Sequence, residues 1–476
     1  MAAVFLHGFG ARYDLQGPLF LYLFAAAGVV VVSFVMVVLF AGEKLGQEAV
    51  DYPRRRATWL EGPANARWPS LVGGTFGVMG LLAVIVSGLF GSQNPFYNPA
   101  EYLVWVYFWA ATVILAGLVG NLWTLLNPFA VLHSLLARLR PPPRRFGTHS
   151  KPESNPRFGI WPAVLTYFAF ACLELTSGVA NRPALLAWLA IAYTIFTVAG
   201  MFLLGAEEWL HRVECFTVLF GIVARFGPVE TARGAEGRVQ VYLRPWGTGL
   251  LKGERAGWDR VVFIILTLST LAFDGILATP VYRWYLYNFG DLFTSLGPLS
   301  VPALRTIGLL LLTAIFLAAF VVVMRFVMWF GWPQVGSPFS RWQGVDESTA
   351  LSAFALTLMP IALVYNAAHN YTYVVVQSQG LIPLLADPFQ RGWHLLPTAG
   401  YKISFALAGA AVVWYVQIVL IVLGHVIAVY LSHLRAGERF KNAAHVLLSQ
   451  YPMLLLMVLY TMTSLWILAQ PITKEV

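Results

Sequence analysis

The chain has 476 residues, 58% of them hydrophobic and only 11% of them Asp, Glu, Lys or Arg, where a soluble domain carries about 25% charged residues. That deficit excludes a soluble globular protein, and apolar stretches of about 20 residues place the surplus in membrane-spanning helices. The net charge of +9 would suggest nucleic acid in a soluble chain, but the basic residues sit between the apolar stretches, so they report topology. The expected environment is a lipid bilayer, with no nucleic-acid partner.

The first residues, MAAVFLHGFGARYD, hold a six-residue apolar run with no basic segment before it. They are not expected to form a cleaved signal peptide, and the first span must act as its own insertion signal. Windows of about 19 mostly apolar residues predict spans near 18–41, 70–91, 102–122, 160–180, 184–206, 260–279, 306–330, 350–373, 404–431 and 451–470. The expected fold is therefore an all-α, polytopic bundle of ten helices forming a single integral-membrane domain over 1–476. In the eighth span the helix-compatible pattern runs on to Gln379. At about 1.5 Å per residue its roughly 30 residues exceed the bilayer core, so this span must tilt, bend at Pro360 or project outside.

Of the 31 Lys and Arg, 24 fall in segments following the odd-numbered spans and only seven on the opposite side. Cytoplasmic loops are enriched in basic residues, so both termini are expected outside the cytoplasm. Two longer segments fall on the predicted cytoplasmic side. The loop over 137–158 is basic and Pro-rich (RLRPPPRRFGTHSKPESNPR) and reads as irregular. Residues 207–260 contain an amphipathic helical stretch and then VQVYLRPW, whose alternation predicts a small hairpin. Trp and Tyr at span ends, such as Trp105, Tyr107 and Trp284, read as interfacial anchors. The two cysteines, Cys172 and Cys215, make no metal motif, and no disulfide is expected. The chain has no Walker A, HExxH or nucleophile-elbow motif and no convincing internal repeat of the transporter kind.

Ionisable residues inside spans carry the functional information, because each is costly in lipid unless paired or lining a cavity. Glu174, Asp274 and His369 lie on the fourth, sixth and eighth spans, which run in the same direction, so all three fall in the outer half of the bilayer. Asn366, His369, Tyr373 and Gln377 form a stripe spaced three, four and four along the eighth span, a polar wall facing protein or water. Asp274 precedes Gly275 and Pro280, where the helix is expected to end. Two carboxylates and an imidazole suit a divalent metal (Zn, Fe or Mn), with Asp274 and His369 as ligands and Glu174 as ligand or catalytic base. They equally suit a proton relay, or interhelical hydrogen bonds with no chemistry.

A second group, Glu207, His211 and Glu214, is spaced i, i+4 and i+7 and is expected on one helix face near the inner surface, in a mainly structural role. His425 and His433 lie near the same level on the ninth span, within reach of the Glu214 face or as haem ligands. Haem is the weaker expectation, because His369 and His425 sit at opposite depths.

Several stretches together resemble one family: HGFGARYDL, LELTSG, EEWLHRVECFTVLFGIVARFGP, AFDGILATP, YNAAHNYTYVVVQSQ, ADPF and YPMLLLMVLYT. The chain resembles the bacterial multi-pass membrane proteins known as fenitrothion hydrolases, an organophosphate-cleaving activity, over most of its length. The resemblance implies a bacterial inner-membrane location and places Glu174, Glu214, Asp274, His369 and Asp387 in the family's recurring polar motifs. It also implies a segment before HGFG that could expose His7. The leading expectation is a metal-dependent, hydrolase-like membrane protein. Its rivals are a non-catalytic subunit of a respiratory or redox complex, with other membrane or periplasmic subunits as partners, and a transporter.

Overall fold

The computed structural model describes residues 13–14, 17–41, 52–139, 159–234, 237–252, 257–332, 347–440, 442–470 and 473–474. His7 and the loop beyond Leu139 in 137–158 lie outside the described residues. Among the described residues, the helices that position the site and the sheet are α1 (Leu19–Ala41), α2 (Trp68–Phe90), α3 (Pro99–Leu118), α4 (Trp161–Leu175), α5 (Pro183–Leu204), α6 (Cys215–Val223), α7 (Trp258–Ile276), α8 (Ser300–Gly331), α9 (Glu347–His369), α10 (Ala410–Arg439) and α11 (Ala443–Ala469). The fold is the expected all-α polytopic bundle.

Among the described residues, eight helices are long and apolar enough to cross a membrane. The other two segments read as spans are exceptional for simple reasons. Helix α4 has only 15 residues, and α7 holds Asp259, Arg260 and Asp274 within its 19.

Helix α9 is the axis of the bundle. Of its most apolar stretch, 89% is buried in protein, against 22% in α1 and α2, so polar groups on α9 face other helices and not lipid. A 3-10 turn, Leu356–Leu358, interrupts α9 just before Pro360. After His369 the chain continues through the short helix Tyr371–Val375 into a 3-10 turn, Gln377–Gly380. The stripe therefore does not run on one helix to its end: Gln377 opens the turn, because Val376 leaves ideal helical geometry (φ −104°, ψ −56°).

Strand pairings show which ends lie together. Strands β1 (Tyr13–Asp14) and β5 (Thr473–Lys474) pair in parallel, so the two terminal segments meet at one end of the bundle, as an even number of crossings demands. At the opposite end β2 (Arg55–Arg56), β3 (Val229–Arg233) and β4 (Val239–Leu243) form an antiparallel sheet with β4 in the centre. The hairpin is the expected one, and β2 is an addition from the segment after α1. Asn65 completes the edge beyond β2 by donating its amide to the Val239 carbonyl at 2.8 Å and accepting the Val239 N–H at 2.8 Å. Segments following α1 and α5 thus share one end, in keeping with alternating spans.

Candidate functional site

At the end of the bundle opposite the three-stranded sheet, α3, α4, α7 and α9 bring their ionisable residues together. Asp274 lies one turn from the C-terminus of α7, which stops at Ile276 as its Gly and Pro predicted, and Thr279 caps the following helix. His369 ends α9. Its Nε2 lies 2.7 Å from Asp274 Oδ2, and the His369 side chain is 4% exposed while that of Asp274 keeps 21% of its surface.

The Tyr365 ring stacks on His369 at 5.8 Å and 13°, one helical turn earlier on α9. Its hydroxyl passes so close to Gly275 that a Cβ there would stand 2.5 Å away, which explains a glycine directly after Asp274. The hydroxyls of Tyr365 and Tyr460 are buried and find no hydrogen-bond partner among the described residues. Both residues line a cavity of about 30 Å³ together with Ser464 and Thr463, large enough for one water with several polar neighbours.

Glu174 on α4 is half-buried, with the Trp109 indole beside its carboxylate and Asp274 close enough for the two charges to interact. Of the three residues expected to converge from three spans, Asp274 and His369 are in hydrogen-bond contact and Glu174 lies within electrostatic reach of Asp274. Tyr373 also joins them, within electrostatic reach of Glu174, Asp274 and Glu101. Asn366, one turn before His369, is buried with neither amide atom hydrogen-bonded. Gln417 on α10 donates to the Ala368 carbonyl at 3.1 Å and fixes the end of α9 against α10.

Glu101 is the member that sequence reasoning missed. It starts a ten-residue π-helical stretch, Tyr102–Ala111, within α3; such a stretch is rare and tends to occur at functional sites. Its Oε2 accepts from Trp105 Nε1 at 3.1 Å, its Oε1 has no hydrogen-bond partner, and the residue is 7% exposed. Glu101, Glu174 and Asp274 thus all lie within electrostatic reach of Tyr373. Among the described residues no group of three or more His, Cys, Asp or Glu is arranged to hold a metal ion.

The second expected group is not assembled. The chain breaks between the helix Ala206–Arg212 and α6, so Glu207, His211 and Glu214 do not share a helix face. Glu214 instead caps α6, accepting from Phe216 N at 3.1 Å and Thr217 N at 2.7 Å, and takes the Tyr193 hydroxyl at 2.6 Å. Burial raises its carboxyl above the ordinary range even against these bonds. Glu207 and His211 are exposed, with His211 Nδ1 3.0 Å from the Glu207 carbonyl, and Arg212 pairs with Glu208 at 2.7 Å.

His425 and His433 contribute nothing to that group. His425 is fully buried, with Nδ1 2.8 Å from the Ile421 carbonyl, and next to it Gly424 packs directly on Val364 of α9. His433 is half-buried with no hydrogen bond at Nδ1. Asp387 organises a turn by accepting from Arg391 N at 2.9 Å and Gly392 N at 2.6 Å. Cys172 and Cys215 are free thiols.

No family model, curated protein or solved structure matches the chain.

Proposed function

We propose that this multi-pass membrane protein is a proton-handling protein whose relay is the Asp274–His369 pair, fed by Glu174, Tyr373 and Glu101. The observation that carries the reading is the 2.7 Å bond between the buried His369 Nε2 and the partly exposed Asp274 Oδ2. Ionisable groups are kept inside a membrane chiefly along ion or proton routes. Between the pair and α11, Tyr365 and Tyr460 line a small, mainly apolar cavity.

In vesicles reconstituted with the whole protein around a pH-sensitive dye, Asp274→Asn is expected to lower proton uptake at least tenfold, and His369→Gln comparably. Both variants should still insert, because α7 and α9 keep their apolar surfaces. Wild-type uptake in Asp274→Asn would rule out the relay.

The resemblance to the organophosphate hydrolases supports a second reading of the same residues. A Zn, Fe or Mn ion replacing the proton shared by the pair would take His369 and Asp274 as ligands, with Glu174 as third ligand or base. Metal analysis of the purified protein separates the two readings: stoichiometric metal that is lost in His369→Ala supports the hydrolase, and a metal-free protein with intact uptake supports the relay. The proposed orientation, with both termini outside the cytoplasm of a bacterial inner membrane, predicts an active alkaline phosphatase fused after Val476. Activity there of a reporter that works only in the cytoplasm would reverse it.

A further inference from the structure

Helix α10 turns a polar face inward and an apolar one outward. Gln417, His425, Ser432 and Arg435 are 3%, 0%, 0% and 4% exposed, and at 3.6 residues per turn they fall within about 80° of one another around the helix axis. Val419, Leu423 and Tyr430 are exposed on the opposite side, the side open to lipid. From Gln417 to Arg435 the rise is about 27 Å, most of the thickness of the hydrocarbon core.

The face begins beside His369, where Gln417 donates to the Ala368 carbonyl at 3.1 Å. At the sheet end Ser432 donates to Gln450 of α11 at 3.1 Å, and Arg435 pairs at 2.6 Å with Glu438, next to the last residue of α10. His425 lies between. Its Nδ1 is 2.8 Å from the Ile421 carbonyl, and a carbonyl only accepts, so Nδ1 carries the hydrogen and Nε2 the free lone pair. That Nε2 is buried and finds no hydrogen-bond partner among the described residues; the same is true of Gln417 Oε1, both amide atoms of Asn366 and Glu438 Oε1. Gly424 packs on Val364 while Gln417 bonds to Ala368, so α9 and α10 run antiparallel and Asn366 sits at a level between Gln417 and His425. Polar atoms buried without partners are rare because each costs free energy, and here they follow one another from the Asp274–His369 pair towards the other end of the bundle.

We propose that His425 is a second proton-transfer group, carrying protons between the Asp274–His369 pair and the sheet end of α10. The inference rests on the relay reading and supplies the half of the route that Glu101, Glu174 and Tyr373 do not reach. A proton handed on by water held at Asn366 and Gln417 adds to the Nε2 lone pair and makes the imidazolium. The same Nε2 proton then passes to water on the Ser432 side, the Nδ1–H bond to Ile421 stays intact and the ring returns to its neutral form. Buried water binds where polar atoms lack protein partners, and ionisable groups inside spans are characteristic of proton relays.

The test is proton uptake by vesicles reconstituted with the whole protein, read beside the thermal unfolding midpoint of each variant. His425→Gln keeps a polar side chain that cannot take up a proton, and is expected to lower uptake at least tenfold with a midpoint near that of wild type. Thr197→Val removes a buried hydroxyl on α5 that also has no hydrogen-bond partner among the described residues, and should leave uptake unchanged. Asn366→Leu keeps the test open if His425→Gln fails to fold: deleting two orphaned amide atoms should raise the midpoint, yet lower uptake severalfold. A purely structural Asn366 would give the higher midpoint with full uptake. Full uptake in folded His425→Gln or in Asn366→Leu, together with its loss in Asp274→Asn, would overturn this route and leave the relay standing, whereas full uptake in Asp274→Asn removes the relay itself. A loss in Thr197→Val equal to that in His425→Gln would also overturn the route, because any buried polar deletion would then have the same effect.

Discussion

Glu230→Gln should destabilise the protein by about 3 kcal/mol, the low end for removing one partner of a buried ion pair. Glu230 on β3 is 7% exposed and accepts from Tyr52 at 2.8 Å, Arg54 at 3.2 Å and Arg244 at 2.8 Å, with Lys252 also on its carboxylate. The neutral amide would leave Arg244, itself 9% exposed, without its carboxylate. Burial alone would raise the Glu230 carboxyl, but the hydrogen bonds from Lys252 and Tyr52 and the charges of Lys252 and Arg244 outweigh it and hold the group at about 2. Against an ordinary value of 4.5 this corresponds to at most about 3 kcal/mol, less what water screens at Arg54 and Lys252, whose side chains are 40% and 45% exposed. Because the folded value is depressed, that stability is fully present above about pH 4.5 and is lost as pH falls towards about 2. Unfolding midpoints of wild type and Glu230→Gln, measured from neutral pH downwards, should converge across that window. A gap that stays constant would show that the carboxylate charge contributes nothing.

The membrane class, most span positions and the meeting of Asp274 with His369 were legible because lipid imposes a long, simple apolar pattern and makes an isolated ionisable group costly. Direction of travel along alternate spans then sets which polar residues share a level. Glu101 escaped this reasoning by one residue: the third span was drawn from 102, whereas Asn98 caps a helix that starts at Pro99. A carboxylate just before a span reads as interfacial, and only packing with Trp105 buries it. The face drawn through Glu207, His211 and Glu214 failed for a different reason. Helical spacing assumes an unbroken helix, and Glu214 is the residue that starts the next one. The network linking Tyr52 and Glu230, 178 positions apart, has no local pattern at all, because it depends on two loops meeting at one end of the bundle.

Gly77→Ala should cost about 3 kcal/mol or more, at or above the usual range for overpacking, because what its Cβ would meet is backbone. Gly73 and Gly77 lie four apart on α2, the spacing that lets two segments approach closely in a membrane. A Cβ on Gly73 would stand 2.9 Å from the Leu125 carbonyl oxygen, and one on Gly77 would overlap that of Leu126. The turn carrying those carbonyls cannot easily retreat. Asn127 Oδ1 accepts from Phe129 N at 2.9 Å and Ala130 N at 3.2 Å, while Trp123 Nε1 donates to Thr217 of α6 at 3.1 Å. Adding a methyl group must therefore move α2 as a whole and loosen its packing on α5, where Gly88 already approaches the Pro183 carbonyl. Gly80→Ala provides the contrast on the same helix, since nothing lies within 4 Å of its Cβ position; it should be neutral or slightly stabilising through helix propensity. Unfolding midpoints in detergent check the pair. Similar midpoints for the two variants would mean that the approach of α2 to the 123–127 turn is looser than its geometry requires.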